Sequence, residues 1–216
     1  MNRSYDTRVM AGVPGISISP RLESNGRKLR KAISTASAES GTPESGASDS
    51  GRPGKNIAGR KVRVRRPKMG IDITWVTERI GVGGGIWTAE NMAAVARAGI
   101  THIIDMQIEF DDTPLAARHG IEVCWNAVDD DFEPKPAAVF ARGVEFGMAA
   151  LEDDGAKLLV HCAAGVHRAP MMTLALLGVM GWTVREAMHL IEVRRPVADF
   201  AEVYVRSVEN FLQGRS

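Results

Sequence analysis

From Met69 onward the apolar residues of this chain fall into short runs and helical spacings. Before it they are scattered among Ser, Gly, Pro and basic residues. Ile71-Asp72-Ile73-Thr74-Trp75-Val76 alternates apolar and polar side chains, the period of a half-buried strand. The glycines at 81, 83, 84 and 85 have neither the spacing of a dinucleotide or triphosphate loop nor a following Lys-Ser/Thr, and they read as a turn. Thr88 caps a helix that ends near Ala98, with Gly99 as its stop. Residues 100–106, 121–125 and 157–161 are compact apolar runs of strand length, and residues 136–151 carry Val139, Phe140, Val144, Phe146 and Met148 at near-helical spacing behind Pro136. Helical patterns follow at about 169–180, 183–193 and 199–212. Strands alternating with helices predict an α/β domain with a central, mostly parallel sheet flanked by helices. Such sheets bind ligands where strands end and helices begin, and the junction from Val160 to Ala169 is such a place.

Charge divides the chain at the same boundary. Residues 1–68 carry a net charge of +10 and residues 69–216 a net of −9. The first segment, rich in Ser, Gly and Pro and poor in aromatics, buries too little apolar surface to offset its ordering entropy, so a disordered tail is expected there. Its last stretch, Gly59-Arg60-Lys61-Val62-Arg63-Val64-Arg65-Arg66-Pro67-Lys68, is dense in cations and suits contact with an anionic partner. Readings open for it are nucleic acid, anionic lipid, a nuclear or organelle address, the acidic domain itself, or a solvated tail without a partner. The second segment, 69–216, is the folded domain.

The remaining composition narrows the function classes. No apolar run approaches the roughly 20 residues that span a bilayer. Two cysteines, Cys124 and Cys162, make no disulfide framework, and a reducing, cytoplasmic setting is expected. Cys124 lies in an apolar strand and reads as core, as do Trp75, Trp87, Trp125 and Trp182. His102, His119 and His189 are scattered without ligand spacing, so no metal site and no cofactor are expected.

The candidate chemistry lies in Val160-His161-Cys162-Ala163-Ala164-Gly165-Val166-His167-Arg168-Ala169-Pro170. A cysteine between a strand end and a helix start meets unpaired N–H groups and a partial positive charge, and both favour thiolate over thiol. The N–H groups of residues 163 to 168 can curl around a tetrahedral anion, with Gly165 permitting the turn. Arg168 offers a planar fork for two anion oxygens, and Pro170 fits a first helical turn. His161 reads as structural, and His167 is expected to point away from the loop's centre.

This His-Cys, five residues and Arg, with a glycine between, resembles the signature of cysteine-based protein phosphatases, and the order of elements over about 70–213 resembles their dual-specificity branch. Residues 100–105, Ala187 and Arg194-Arg195-Pro196 also match runs of that family. The resemblance implies a dual-specificity phosphatase-like fold and hydrolysis of phosphomonoesters on proteins at tyrosine and/or serine/threonine. It also implies a phosphocysteine on Cys162, with Arg168 and the loop residues Ala163, Ala164, Gly165, Val166 and His167 holding phosphate. It further implies a general acid in Ala127-Val128-Asp129-Asp130-Asp131-Phe132-Glu133-Pro134. Counting from Val128 points to Asp130, with Asp129 and Asp131 as rivals. Ala169 departs from the usual Ser or Thr, which bears on the second chemical step. The alternatives are a phosphate-binding module without turnover, a phosphatase of phosphorylated glucan and a sulfur transferase.

Overall fold

A computed structural model describes residues 70–214. The basic tail, 1–68, lies outside the described residues.

The strands are β1 (Ile73–Trp75), β2 (Ile80–Gly83), β3 (His102–Asp105), β4 (Glu122–Trp125) and β5 (Leu158–His161). The helices are α1 (Ala89–Arg97), α2 (Thr113–Ala116), α3 (Ala137–Ala150), α4 (Arg168–Val179), α5 (Val184–Arg194) and α6 (Glu202–Leu212), and a single 3₁₀ turn, Ala117–His119, follows α2. The sheet runs β1-β2-β5-β3-β4, parallel throughout except for β1, which pairs antiparallel with β2. This is the expected α/β architecture. The last helix begins at Glu202, later than its apolar pattern suggests, because residues 195–201 run as irregular chain held against the loop after β5, with Asp199 N donating to Val166 O.

Alternation along the buried strands feeds two cores. Leu158, Val160, Val82 and Ile104 point into the larger one with α3, α4, α5 and α6, while Leu159 and Ile103 point into the smaller one with Met92 and Val95 of α1. At the centre of the larger core lies α4, in which every side chain from Arg168 to Leu177 is buried. It is apolar all round and has no solvent face to show a period. Two of the helix starts are sealed by side chains. Thr88 Oγ1 accepts from Asn91 N at 3.1 Å, and Thr183 with Glu186 forms a reciprocal capping box.

The glycine-rich stretch corrects the reading of a turn. Residues 80–83 form a buried strand pairing β1 on one side and β5 on the other. The glycine at 83 answers to a close approach, since a Cβ there would lie 2.3 Å from the carbonyl oxygen of Asp72. Sequence patterns also overlook α2, whose single turn is too short to display a helical period. The tryptophans divide as well. Trp182 is buried, but Trp87 and Trp125 are 48% and 44% exposed, so the reading of both as core is wrong. Trp125 lies on the edge strand β4 and spends its Nε1–H on Gln107 O at 2.8 Å.

Gly83→Ala is expected to push β1 off β2 and destabilise the domain by about 1–3 kcal/mol, the usual cost of overpacking. A urea titration should show a lower midpoint with an unchanged slope.

Candidate active site

The parallel strands end in step. Gly83 pairs His161, His161 pairs Asp105, and Asp105 pairs Trp125, so four loops leave the same edge of the sheet side by side. The loop from Cys162 to Arg168 rises from the middle strand, β5, where the sequence places it.

Cys162 is buried, and its Sγ accepts the N–H of Gly165 at 3.2 Å. Gly165 has φ 65°, and a Cβ on it would lie 2.5 Å from Gly83 O and 2.3 Å from an Arg195 nitrogen, so both its conformation and its surroundings demand glycine. Carbonyls from His161 to Val166 find donors from outside the loop. His161 O accepts from Met106 N at 2.9 Å, Ala163 O from Gly85 N at 3.0 Å and Val166 O from Asp199 N at 2.9 Å. Gly165 O and Ala164 O accept from Arg195 at 2.7 and 3.4 Å. Arg195 is buried and grips both oxygens of Asp72, at 2.8 and 2.6 Å, which holds that carboxyl below its ordinary range. One side chain thus ties the loop to the start of β1.

Arg168, the first residue of α4, is 2% exposed. Its two terminal nitrogens donate to the two oxygens of Glu109 at 2.9 and 2.8 Å, and Nη1 also donates to Val128 O at 3.0 Å. The pairing lowers Glu109 and raises Arg168. Its Nε makes no hydrogen bond and lies 3.8 Å from Asp130 Oδ2. Glu109 escapes sequence reasoning because nothing in its spacing marks a partner 59 positions away.

The three aspartates of the acidic loop take separate places. Asp129 caps the backbone of Asp130, with its Oδ1 accepting from Asp130 N at 2.8 Å. Asp131 pairs with Lys135, whose hydrogen bond holds it below the carboxylate range. Asp130 alone of the three turns to the cysteine loop. His167 Nδ1 lies 3.0 Å from its Oδ2, and Tyr204 donates its O–H to Oδ1 at 3.0 Å. The same phenol oxygen accepts Phe132 N–H at 2.9 Å, and the Phe132 ring stacks on Tyr204 at 5.8 Å. Burial, reinforced by the bond to Asp130, pushes Tyr204 up to about 12, so the hydroxyl keeps its proton at neutral pH. Ser207 Oγ accepts Lys135 N–H at 3.0 Å, a second tie between this loop and α6. His167 does not point away as expected. Its ring is held between Asp130 and Asp199, with the Phe132 ring in T-shaped contact at 5.0 Å.

Beneath the loop lies a cluster that the sequence does not signal. His161 Nε2 approaches Asp112 Oδ2 at 2.9 Å and Asp105 Oδ1 at 3.6 Å, and all three side chains are fully buried. Neither nitrogen of His161 makes an aligned hydrogen bond. Burial outweighs the imidazole and the N–H groups of Gln107 and Asp112, and Asp105 is pushed up to about 6. Next to Arg168, Ala169 is buried and its carbonyl accepts Thr173 Oγ1 at 2.9 Å.

The Asp105 carboxyl is raised from an ordinary 3.8 to about 6. The folded state therefore holds its proton more tightly than the unfolded chain. The stability this confers is complete below pH 3.8 and lost as pH rises through about 6. Two units correspond to roughly 3 kcal/mol. Asp105→Asn has no such titration, so urea midpoints at pH 4.5 and 7 should show the variant gaining on wild type by up to that amount.

Comparison with known proteins agrees with this geometry. Residues 85–212 match the family model described as "Dual specificity phosphatase, catalytic domain". "Protein-tyrosine-phosphatase IBR5" of Arabidopsis thaliana is 34% identical over 64 residues, covering 29% of this chain and 25% of that protein. "Dual specificity protein phosphatase 26" of Rattus norvegicus is 30% identical over 113 residues, covering 50% of this chain and 53% of that protein. The chain thus spans between a quarter and about half the length of these relatives. Among solved structures, kinase associated phosphatase with serine replacing its catalytic cysteine superposes with a TM-score of 0.60 at 15% identity, covering 68% of this chain and 97% of that one. The matched segment holds all four loops from Gly85 through α6, and the chain belongs to the dual-specificity phosphatase family.

Proposed function

We propose that this domain hydrolyses phosphomonoesters on proteins, with Cys162 as nucleophile, Arg168 as phosphate clamp and Asp130 as general acid. The observation that carries the reading is the meeting of these groups at one point. The Cys162 thiol lies under the Gly165 N–H at the head of α4, and Asp130 stands beside the unpartnered Nε of Arg168. Glu109 occupies the end of the guanidinium, which leaves its side edge, Nε with Nη2, as a fork for two phosphate oxygens.

In this mechanism the Cys162 thiolate attacks phosphorus while the ester oxygen departs with a proton from Asp130. Water then attacks the phosphocysteine, Asp130 takes the water's proton, and phosphate leaves. Loop N–H groups and Arg168 receive the charge that spreads over the phosphoryl oxygens. Ala163, Ala164 and Val166 put no cation beside the loop, which favours a singly phosphorylated side chain over a highly phosphorylated lipid. The hydroxyl missing at Ala169 leaves departure of the thiolate in the second step without that donor.

Cys162→Ser should abolish release of phosphate from p-nitrophenyl phosphate while retaining phosphate binding, and Arg168→Lys should cripple both. Asp130→Asn should slow phenyl phosphate far more than p-nitrophenyl phosphate, because the better leaving group needs little protonation. Substantial turnover by Cys162→Ser would overturn the assignment. A phenyl phosphate defect appearing in Asp129→Asn or Asp131→Asn instead would move the acid by one residue.

A further inference from the structure

We propose that His167 is a second member of the general-acid group, storing the proton that Asp130 delivers to the leaving oxygen. The inference rests on reading the site as a phosphatase. It goes beyond that reading because the loop pattern itself asks nothing of this position.

The argument begins with hydrogen-bond roles. Nδ1 of His167 faces Asp130 Oδ2 at 3.0 Å, and Nε2 faces Asp199 Oδ2 at 3.4 Å. Ionised carboxylates only accept, and a neutral imidazole carries one N–H and one lone pair. The ring therefore satisfies both neighbours only as imidazolium. With the ring nitrogen protonated or with the carboxyl protonated, the proton lies on the same 3.0 Å line between Nδ1 and Asp130 Oδ2, within reach of both groups. The other charged and titratable groups around the pair are the Arg168 guanidinium, 3.8 Å from Asp130, the Tyr204 phenol on the far oxygen, the Asp131–Lys135 pair and the Cys162 thiol. The Tyr204 bond occupies Asp130 Oδ1 and leaves Oδ2 for exchange with the ring. The Phe132 ring meets the imidazole in a T-shaped contact at 5.0 Å, and the His167 side chain is only 20% exposed, so this is not a solvated surface pair.

The proton balance closes. As the phosphorus–oxygen bond breaks, its electron pair stays on the leaving oxygen, which takes the Asp130 proton. That proton is the one His167 Nδ1 hands to Asp130, so the step leaves the ring neutral and Asp130 ionised. In the second step the attacking water gives a proton to Asp130, which returns it to the ring. The sulfur–phosphorus bond breaks and inorganic phosphate departs. Asp199 stays ionised throughout and holds the ring's far nitrogen, which makes it a positioning residue.

The test follows kcat/KM against pH on phenyl phosphate and p-nitrophenyl phosphate for wild type, His167→Asn and Asp199→Asn. Asparagine keeps a donor near the Nδ1 position but cannot titrate. Ordinary imidazole and carboxylate values differ by about 2.6 units. The alkaline limb on phenyl phosphate should move about two pH units to the acid side in His167→Asn. Near pH 6.5 the phenyl to p-nitrophenyl rate ratio should then fall on the order of 100-fold. Asp199→Asn should move the limb the same way by less. An unmoved limb in His167→Asn overturns the proposal. A readout independent of turnover is the protonation of the ring nitrogens followed by NMR. Both N–H groups should persist to higher pH in wild type than in Asp130→Asn, and identical titrations would overturn the coupling. Wild type that hydrolyses neither ester removes the phosphatase reading itself, and the proposal with it, whatever the ring does.

Discussion

A loop that turns its N–H groups inward toward one anion turns its carbonyls outward, and those carbonyls need donors of their own. Much of this fold is arranged to supply them. Met106 N reaches in from the loop after β3, Gly85 N from the loop after β2, Asp199 N from the chain leading into α6, and Arg195 from the end of α5. Neighbours of four different origins thus converge on the six residues from His161 to Val166. The level ending of the strands makes that convergence possible, because it brings the first residues of each loop to the same height.

The second requirement is charge. Two guanidiniums, Arg168 and Arg195, are buried beside the loop, and each is matched by a carboxylate on both of its oxygens, Glu109 and Asp72. Breaking such a pair leaves one buried charge unmatched, which costs about 3–5 kcal/mol. Each pair also leaves a donor for the loop. Arg195 Nε serves Gly165 O, while Arg168 Nε, buried 3.8 Å from Asp130 Oδ2, makes no hydrogen bond. Asp105 and Asp112 around His161 apply the same logic underneath, and there the strain of burial appears as a carboxyl that keeps its proton to about pH 6.

The strands at 102–105, 122–125 and 158–161, the helix starts at Thr88 and Thr183 and the Cys162–Arg168 loop, His167 excepted, were legible in the sequence, because period, cap and motif are local signals. Asp130 was legible only as one of three, since neighbouring carboxylates differ in direction and not in pattern. Glu109, Asp72 and Tyr204 were illegible for another reason. Their partners lie 59 to 123 residues away, and no single sequence records a contact of that span. His167 was misread because a position next to Arg168 carries no information on which way its ring turns. Trp87 and Trp125 were misread through a general preference for burial, which an edge strand and a loop override. The glycine stretch at 81–85 failed because glycine signals a turn and a close backbone approach alike.

Helix α6 supplies the apolar side chains Val208 and Phe211 to the larger core, and near its start Tyr204 and Ser207 hold the acidic loop by its carboxylate and its backbone. The direction of the Asp130 carboxylate therefore depends on the docking of α6. Undocking α6 removes the Tyr204 phenol and the Ser207 hydroxyl from the acidic loop while touching none of the bonds between Arg168 and Glu109. On the proposed reading, the cysteine loop and its clamp then stay in place while the acid loses its aim.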